Sequence, residues 1–504
     1  MTINRRELLA SLTLGTVGAV SHAARLRAAP HLEQPLRDAT RIARENARQG
    51  TREWMLQNTQ IDPQSRYRCP VVEGFASHAS AAAGDTVQLM VSTHQDDHVA
   101  LQIYRMGYYG GAGARQVHSV APLPCHPQPL PAPSQRRLLR CDWKPLYAWQ
   151  VPDDALSGVY LAKLTSQRTA VESYVVFIVR DQREADVVFQ CSDFTWQAYN
   201  RWPSQFSLYD NGEQEWYWGG ESQVSFDRPY GKYCQILDAP LSIGSGEFLL
   251  WEFPFAYWLE SQGYDVTYIS NLDTHRNTST LTRGRAVLSV GHDEYWTLEM
   301  FRHMQEAVAH GTSIGFFSGN AVCGRIAWDD RSRSLRRVGV FGPPGGTREF
   351  QAMSHLEHTR PYANELIGAH STGPVTGGAD WICSQPDHWV FAGTGMQQGD
   401  AIPGLVGWEW HGDPAPIADL EVIATGPTQS APGEPNGGQY TATVYPGPRG
   451  NLVFNAATIW WADGLSEPPG YVRPAVYTTP QGPDRRVQQI TTNVLARMLD
   501  GDAR

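Results

Sequence analysis

The chain has 504 residues, with 41 Lys+Arg against 51 Asp+Glu, a net charge of -10, and 41% hydrophobic and 11% aromatic residues. That much Trp, Tyr and Phe excludes disorder as the dominant state. An acidic balance without a basic run excludes nucleic acid as the main partner, and no run of about 20 apolar residues offers a membrane span.

The N-terminus reads as an address. Asn4-Arg5-Arg6-Glu7-Leu8-Leu9 is basic, Ala10 to Val20 is apolar, and Ser21-His22-Ala23-Ala24 offers small residues for a signal peptidase. This order is that of a secretory signal, and the Arg5-Arg6 pair resembles a twin-arginine signal. Residues 1–30 are therefore expected to be removed on export, leaving a periplasmic or secreted protein. The twin-arginine route carries folded proteins, which suits a chain that must acquire a metal in the cytoplasm. Seven cysteines are an odd number, and none forms a C-x-x-C pair. Cys125 and Cys141 bracket a Pro-rich loop and are the expected disulfide. Residues 31–67 are polar, with a weak apolar stripe at Ile42, Ala43 and Ala47, and are expected to form a helical leader.

Over residues 68–182 the pattern turns to short alternating runs between turns. Thr86–Val91, His98–Tyr104, Gly158–Leu164 and Ser173–Val179 predict strands of an antiparallel, immunoglobulin-like β-sandwich. The aromatic, Gly-rich Tyr104–Gly111 reads as a tight-turning strand end rather than a carbohydrate platform.

Residues 183–504 alternate apolar strands with helices. Strands are predicted at Asp186–Gln190, Asp265–Ser270, Ala286–Val290 and Ser313–Phe317, with a helix at Phe255–Glu260 stopped by Gly263. A second helix, capped by Thr297, places Leu298, Phe301, Met304 and Val308 mostly on one face and ends at Gly311. This alternation predicts a largely parallel sheet, so the fold class is multidomain α+β, a sandwich followed by an α/β domain. Ligands of such sheets sit beyond the C-terminal ends of the strands.

Three polar clusters fall there. Asp186–Gln190 runs into Cys191-Ser192-Asp193-Phe194-Thr195-Trp196-Gln197-Ala198-Tyr199-Asn200. Ala286–Val290 runs into Gly291-His292-Asp293-Glu294-Tyr295-Trp296, and Ser313–Phe317 into Ser318-Gly319-Asn320. Of His292, Asp293 and Glu294, at most two can face one cleft. His292 and Glu294 read as a metal ligand and an acid/base partner, and Asp293 as an acid favoured at a helix N-terminus. No Gly-x-Ser-x-Gly elbow is present, and Cys323 reads as a buried thiol. Without a nucleophile, hydrolysis needs an activated water, which a metal provides near neutral pH.

These strings, with Ser207-Leu208-Tyr209-Asp210-Asn211-Gly212, resemble the C-terminal region of the large subunit of N,N-dimethylformamidase, over roughly residues 185–495. The resemblance implies an amidotransferase-like α/β fold and a mononuclear Fe(III) held by Tyr199, Tyr209 and Glu294. It places His292 and Asn320 beside the metal, makes Glu409 a carboxylate that assists hydrolysis, and sets Phe454 in the pocket wall. It further implies a small amide as substrate, and a homo-oligomer or a small partner subunit. Tyr199 and Tyr209 are closer in sequence here than in the family enzyme, and Trp196 stands where the family often has Tyr. The function expected is iron-dependent amide hydrolysis; the rivals are an inactive carbohydrate- or cell-wall-binding protein on the same fold, and a metal hydrolase of another bond such as an ester.

Overall fold

Alternating apolar residues form the strands that open the fold. The computed structural model describes residues 41–213, 216–232, 240–343, 356–372, 378–428, 438–471 and 482–500. The expected export signal lies outside them. Among the described residues of the expected leader, Arg41–Asn46 is helical. The polar stretch that follows is instead tied to strands: Thr51 N–H donates to Ala114 O, Leu56 N–H to Tyr174 Oη and Gln57 N–H to Glu172. Those bonds satisfy its backbone without a helix.

A three-stranded antiparallel sheet, Val72–Ala76, Thr86–Thr93 and Pro145–Gln150, is joined by a five-stranded sheet. The second contains Ser80–Ala82, Glu172–Arg180, Gly158–Ser166, Asp97–Met106 and Ala114–Cys125, in that order. Trp149, Tyr160 and Phe177 stack between them. Cys125 and Cys141 are both thiols rather than a disulfide. Cys125 packs in the main core, whereas Cys141 packs with Phe75, Met90, Trp143 and Trp202. The Pro-rich loop between them therefore joins two separate apolar clusters.

The second sheet system has seven strands, in the order Val266–Ser270, Ala185–Cys191, Gly284–Gly291, Ser313–Ser318, Leu452–Asn455, Gln439–Pro446 and Glu421–Pro427. The first five run parallel and the last two antiparallel. Helix Leu298–Ala309 starts as read, with Thr297 Oγ1 accepting from Met300 N–H, and buries Met300, Phe301, Met304 and Ala307. No helix among the described residues is long and apolar enough to cross a membrane.

One apolar cluster runs without a break from the sandwich into the parallel sheet, joining Leu161 and Phe177 to Phe189, Tyr268 and Leu288. A buried ion pair crosses the same boundary, from Arg105 to Glu260 at 2.7 Å, with both side chains fully buried.

Candidate metal centre

Strands Ala185–Cys191, Gly284–Gly291 and Ser313–Ser318 are direct neighbours, with Gly284–Gly291 in the middle. Their C-terminal ends therefore deliver three polar segments to one place. Past Cys191 the chain turns at once into the helix Asp193–Tyr199, whose residues are all buried. That helix carries Tyr199 at its last turn. Leu208 N–H donates to Ala198 O at 2.9 Å, which folds the following loop back and brings Tyr209 beside Tyr199.

After Gly291 the chain keeps close to a neighbour. Val322 N–H donates to Asp293 O, and Cys323 and Gly324 N–H both donate to Glu294 O. This fixes the backbone of His292, Asp293 and Glu294. Gly319 passes so close to the segment carrying Glu409 that an added Cβ would sit 2.1 Å from the Glu409 carbonyl oxygen. Only glycine permits that approach. Asn320, Val322 and Trp408, all flanking this contact, have positive φ of 48°, 56° and 57°. Such backbone costs about 1–3 kcal/mol per residue and clusters at functional sites.

The side chains then meet. Tyr199 Oη donates to Glu294 Oε2, and Tyr209 Oη donates to Tyr199 Oη at 2.6 Å. Tyr209 Oη is also 3.2 Å and 3.3 Å from the two Glu294 oxygens. His292 Nε2 lies 3.2 Å from Glu294 Oε2 and 3.0 Å from Glu409 Oε2, and is aligned for a hydrogen bond to neither. Asn320 Nδ2 donates to Glu409 Oε2 at 3.1 Å. His292, Glu294 and Glu409 each offer an atom within 4.8 Å of the others, a spacing that can hold a metal ion. All six candidate residues from the sequence thus stand in one buried cluster. Phe454 packs in the core, tilted against Phe317 and edge-on to Trp461.

Asp293 turns away, as the limit of two residues per cleft requires, but it does not open the helix that follows it. It accepts from Gln190 Nε2 at 2.6 Å, Ser289 Oγ at 2.9 Å and Asn271 Nδ2 at 3.2 Å. The next helix in the chain begins only at Leu298, so Asp293 instead braces two strand ends and the first residue of the helix Asn271–Arg276.

Three residues of the site escaped sequence reasoning. Glu247 Oε2 is 3.1 Å from His292 Nδ1. Burial alone would drive that imidazole neutral, but the Glu247 and Glu409 carboxylates outweigh it and hold its pKa well above the ordinary histidine value. Tyr295 Oη donates to Tyr209 Oη at 2.5 Å, and Arg337 Nη2 donates to Tyr295 Oη at 2.6 Å. Burial pushes the Tyr295 hydroxyl well up, and Arg337 only partly offsets it. Tyr295 was visible inside the His-Asp-Glu-Tyr-Trp string. Glu247 and Arg337 carried no local signal.

One buried acid on the Tyr199 helix has a pH consequence. Burial pushes the Asp193 carboxyl up to about 7, with bonds from Ser270 and Asn271 only partly opposing. A raised native pKa means stability that is complete below about pH 4 and is lost as pH rises through 7. Asp193→Asn removes that loss, because its amide can still accept from Asn271 N–H and bond Ser270. Relative to the parent, the variant is expected to gain about 3 kcal/mol between pH 5 and pH 8. Urea midpoints at the two pH values check it; an equal difference at both refutes it.

The model of the N,N-dimethylformamidase beta subunit-like, C-terminal family matches residues 100–474. The chain belongs to that family. The match begins inside the sandwich, so membership in the N,N-dimethylformamidase beta subunit-like family takes in strands of that unit as well as the parallel sheet. No curated protein matches the sequence. Among solved structures, an uncharacterized protein from Bacillus anthracis str. Ames aligns with a TM-score of 0.14 and 13% identity, over 21% of this chain and 84% of that one. A family 123 glycoside hydrolase from Clostridium perfringens aligns with a TM-score of 0.12 and 11% identity, over 54% of this chain and 48% of that one.

Proposed function

We propose that this chain is an exported, iron-dependent hydrolase of a small amide. In this reading an immunoglobulin-like sandwich supports an amidotransferase-like catalytic unit, working as a homo-oligomer or with a small partner subunit. One observation carries the proposal: two phenol oxygens and a carboxylate, from stretches up to 95 residues apart, are buried within hydrogen-bond reach of one another. Family membership supports the amide as substrate class.

The donor set fits the metal. Tyr199, Tyr209 and Glu294 would hold it, and three hard oxygen donors suit Fe(III). Bound there, Fe(III) supplies Lewis acidity toward an amide carbonyl and acidifies a water. The rest is proton handling by the chain itself. Glu409, held by Asn320, takes the proton released when water attacks the carbonyl carbon. His292, kept cationic by Glu247 and Glu409, gives a proton to the leaving nitrogen. Hydroxide adds to carbon, the C–N bond breaks, and the amine departs with that proton, leaving a carboxylic acid.

The binding-protein rival draws on the 17 tryptophans of the chain. Trp202, Trp251, Trp296, Trp381, Trp408, Trp460 and Trp461 are fully buried and offer no sugar platform. The test is to measure iron per chain, visible absorption, and amine or alcohol release from small amides and esters. One iron per chain, a phenolate charge-transfer band and amine release are expected. A colourless protein without stoichiometric metal refutes iron dependence, and alcohol release without amine release reassigns the bond.

A further inference from the structure

Arg337 lies on the strand Ser334–Val340, and its side chain is fully buried. A buried guanidinium is costly unless an anion or a full set of acceptors meets it. No carboxylate among the described residues forms an ion pair with it. Its donors go to Leu208 O at 3.2 Å, Gly219 O at 3.1 Å and Tyr295 Oη at 2.6 Å. Its Nε has no hydrogen-bond partner among the described residues. The guanidinium also stands 4.7 Å from the centre of the Tyr209 ring and 5.3 Å from that of Tyr295. Its hydrogen bonds among the described residues thus go to backbone carbonyls around the Tyr209 loop, Tyr217 O at 3.5 Å included, or to a phenol of the site, and the Trp218 ring stands 5.9 Å away.

From there the hydrogen bonds run one way. Arg337 donates to Tyr295, Tyr295 to Tyr209, Tyr209 to Tyr199, and Tyr199 to Glu294. A phenol has a single proton to give. Tyr295 receives from Arg337 and so spends its own on Tyr209. When Tyr199 and Tyr209 give up their protons to take a cation, that one donor remains pointed at the Tyr209 oxygen. The fixed positive charge of Arg337, 4.7 Å from the centre of the Tyr209 ring, then stands close to that oxygen's ring.

We propose that Tyr295 and Arg337 are positioning residues for the metal-binding phenols, with Arg337 acting through the Tyr295 hydroxyl to aim and polarise Tyr209 Oη. The inference rests on the metal-site reading above and deepens it. Tyr295 lies within the His-Asp-Glu-Tyr-Trp string but carries no assigned role there, and Arg337 lies outside every motif. Groups that hydrogen-bond a metal ligand from behind set its orientation and donor strength, and losing them typically costs 10–100-fold in metal affinity.

Tyr295→Phe deletes one hydroxyl and keeps the ring, so the core around it stays filled. The folded variant is expected to bind iron about 10–100-fold more weakly, measured by competition with a chelator. Its phenolate-to-iron band is expected to move to longer wavelength, because an oxygen relieved of a hydrogen bond holds its electrons less tightly. Arg337→Met is expected to move both readouts in the same direction. A role limited to holding the loop would lower affinity and leave the band where it is. Tyr295→Phe with the parent's band position and iron affinity overturns the inference. A parent protein with neither iron nor a band instead overturns the metal-site reading, so the two failures are distinct.

Discussion

Glu294→Gln is expected to slow amide hydrolysis by about 10²–10³-fold and to leave the protein with less than stoichiometric metal. Glu294 is where the whole arrangement crosses. Its Oε2 receives the Tyr199 hydroxyl and lies 3.2 Å from His292 Nε2, while its Oε1 is 3.2 Å from Tyr209 Oη. It therefore belongs both to the phenol–carboxylate set and to the His292, Glu294 and Glu409 set. Glutamine is nearly isosteric, so packing is kept, and Cys323 and Gly324 still anchor the backbone carbonyl. What changes is charge. An amide offers a metal one neutral oxygen in place of an anion, and its NH2 group faces a phenol or an imidazole that requires an acceptor. Metal analysis and steady-state kinetics on the same preparation check the result. Full turnover with full metal removes Glu294 from the site. Full metal with lost turnover instead assigns it to proton handling beside His292.

A companion substitution, Glu409→Gln, separates the two donor sets. Glu409 accepts from Asn320 Nδ2 at 3.1 Å and lies 3.0 Å from His292 Nε2. If the phenols hold the metal, Glu294→Gln is the substitution that empties the site, whereas the Glu409 carboxylate affects catalysis alone. Its position also explains the crowding at Gly319: the loop after Ser313–Ser318 must touch the Glu409 backbone for Asn320 to reach the carboxylate.

Much of this was legible in the sequence because it rests on short-range periodicity. Thr86–Thr93 alternates, Leu298–Ala309 has a cap and an apolar stripe, and the strands ending at Cys191, Gly291 and Ser318 are apolar runs that stop at polar strings. Adjacent parallel strands then force those strings together. What was not legible depends on contacts far apart in the chain. Glu247 precedes a π-helical turn, Phe248–Glu252, inside a stretch with no period to read, and meets His292 45 residues later. Arg337 sits in an Arg-rich run without a motif, and it is buried where its strand pairs on both sides, with Gln223–Ser225 and Gly324–Asp329. The antiparallel strands Gln439–Pro446 and Glu421–Pro427 extend a sheet whose parallel half alone was evident. The expected Cys125–Cys141 bridge failed for a related reason, since loop composition says nothing of which cluster each end enters.

Arg105→Met is expected to cost about 3–5 kcal/mol of stability, a large share of the 5–15 kcal/mol typical of a folded protein. Arg105 and Glu260 are fully buried and joined by two bonds, at 2.7 Å and 3.1 Å. Arg105 also donates twice to Ser157 O, and Glu260 accepts from Asn46 Nδ2 and Tyr268 Oη. Burial would weaken the guanidinium's hold on its proton, but Glu260 outweighs it and raises its pKa. Methionine fills much of the volume and supplies no charge, so Glu260 is left as a buried anion with two neutral donors. Such a deletion costs more than the pair is worth, because the penalty lies in the abandoned charge. Replacing Arg105 and Glu260 together by Met and Leu is accordingly expected to cost less than Arg105→Met alone. Because the pair joins the sandwich strand Asp97–Met106 to the helix Phe253–Ser261, tryptophan fluorescence and metal release should shift to lower denaturant together. If Arg105→Met moves the midpoint of only one probe, the two units unfold separately and the ion pair does not couple them.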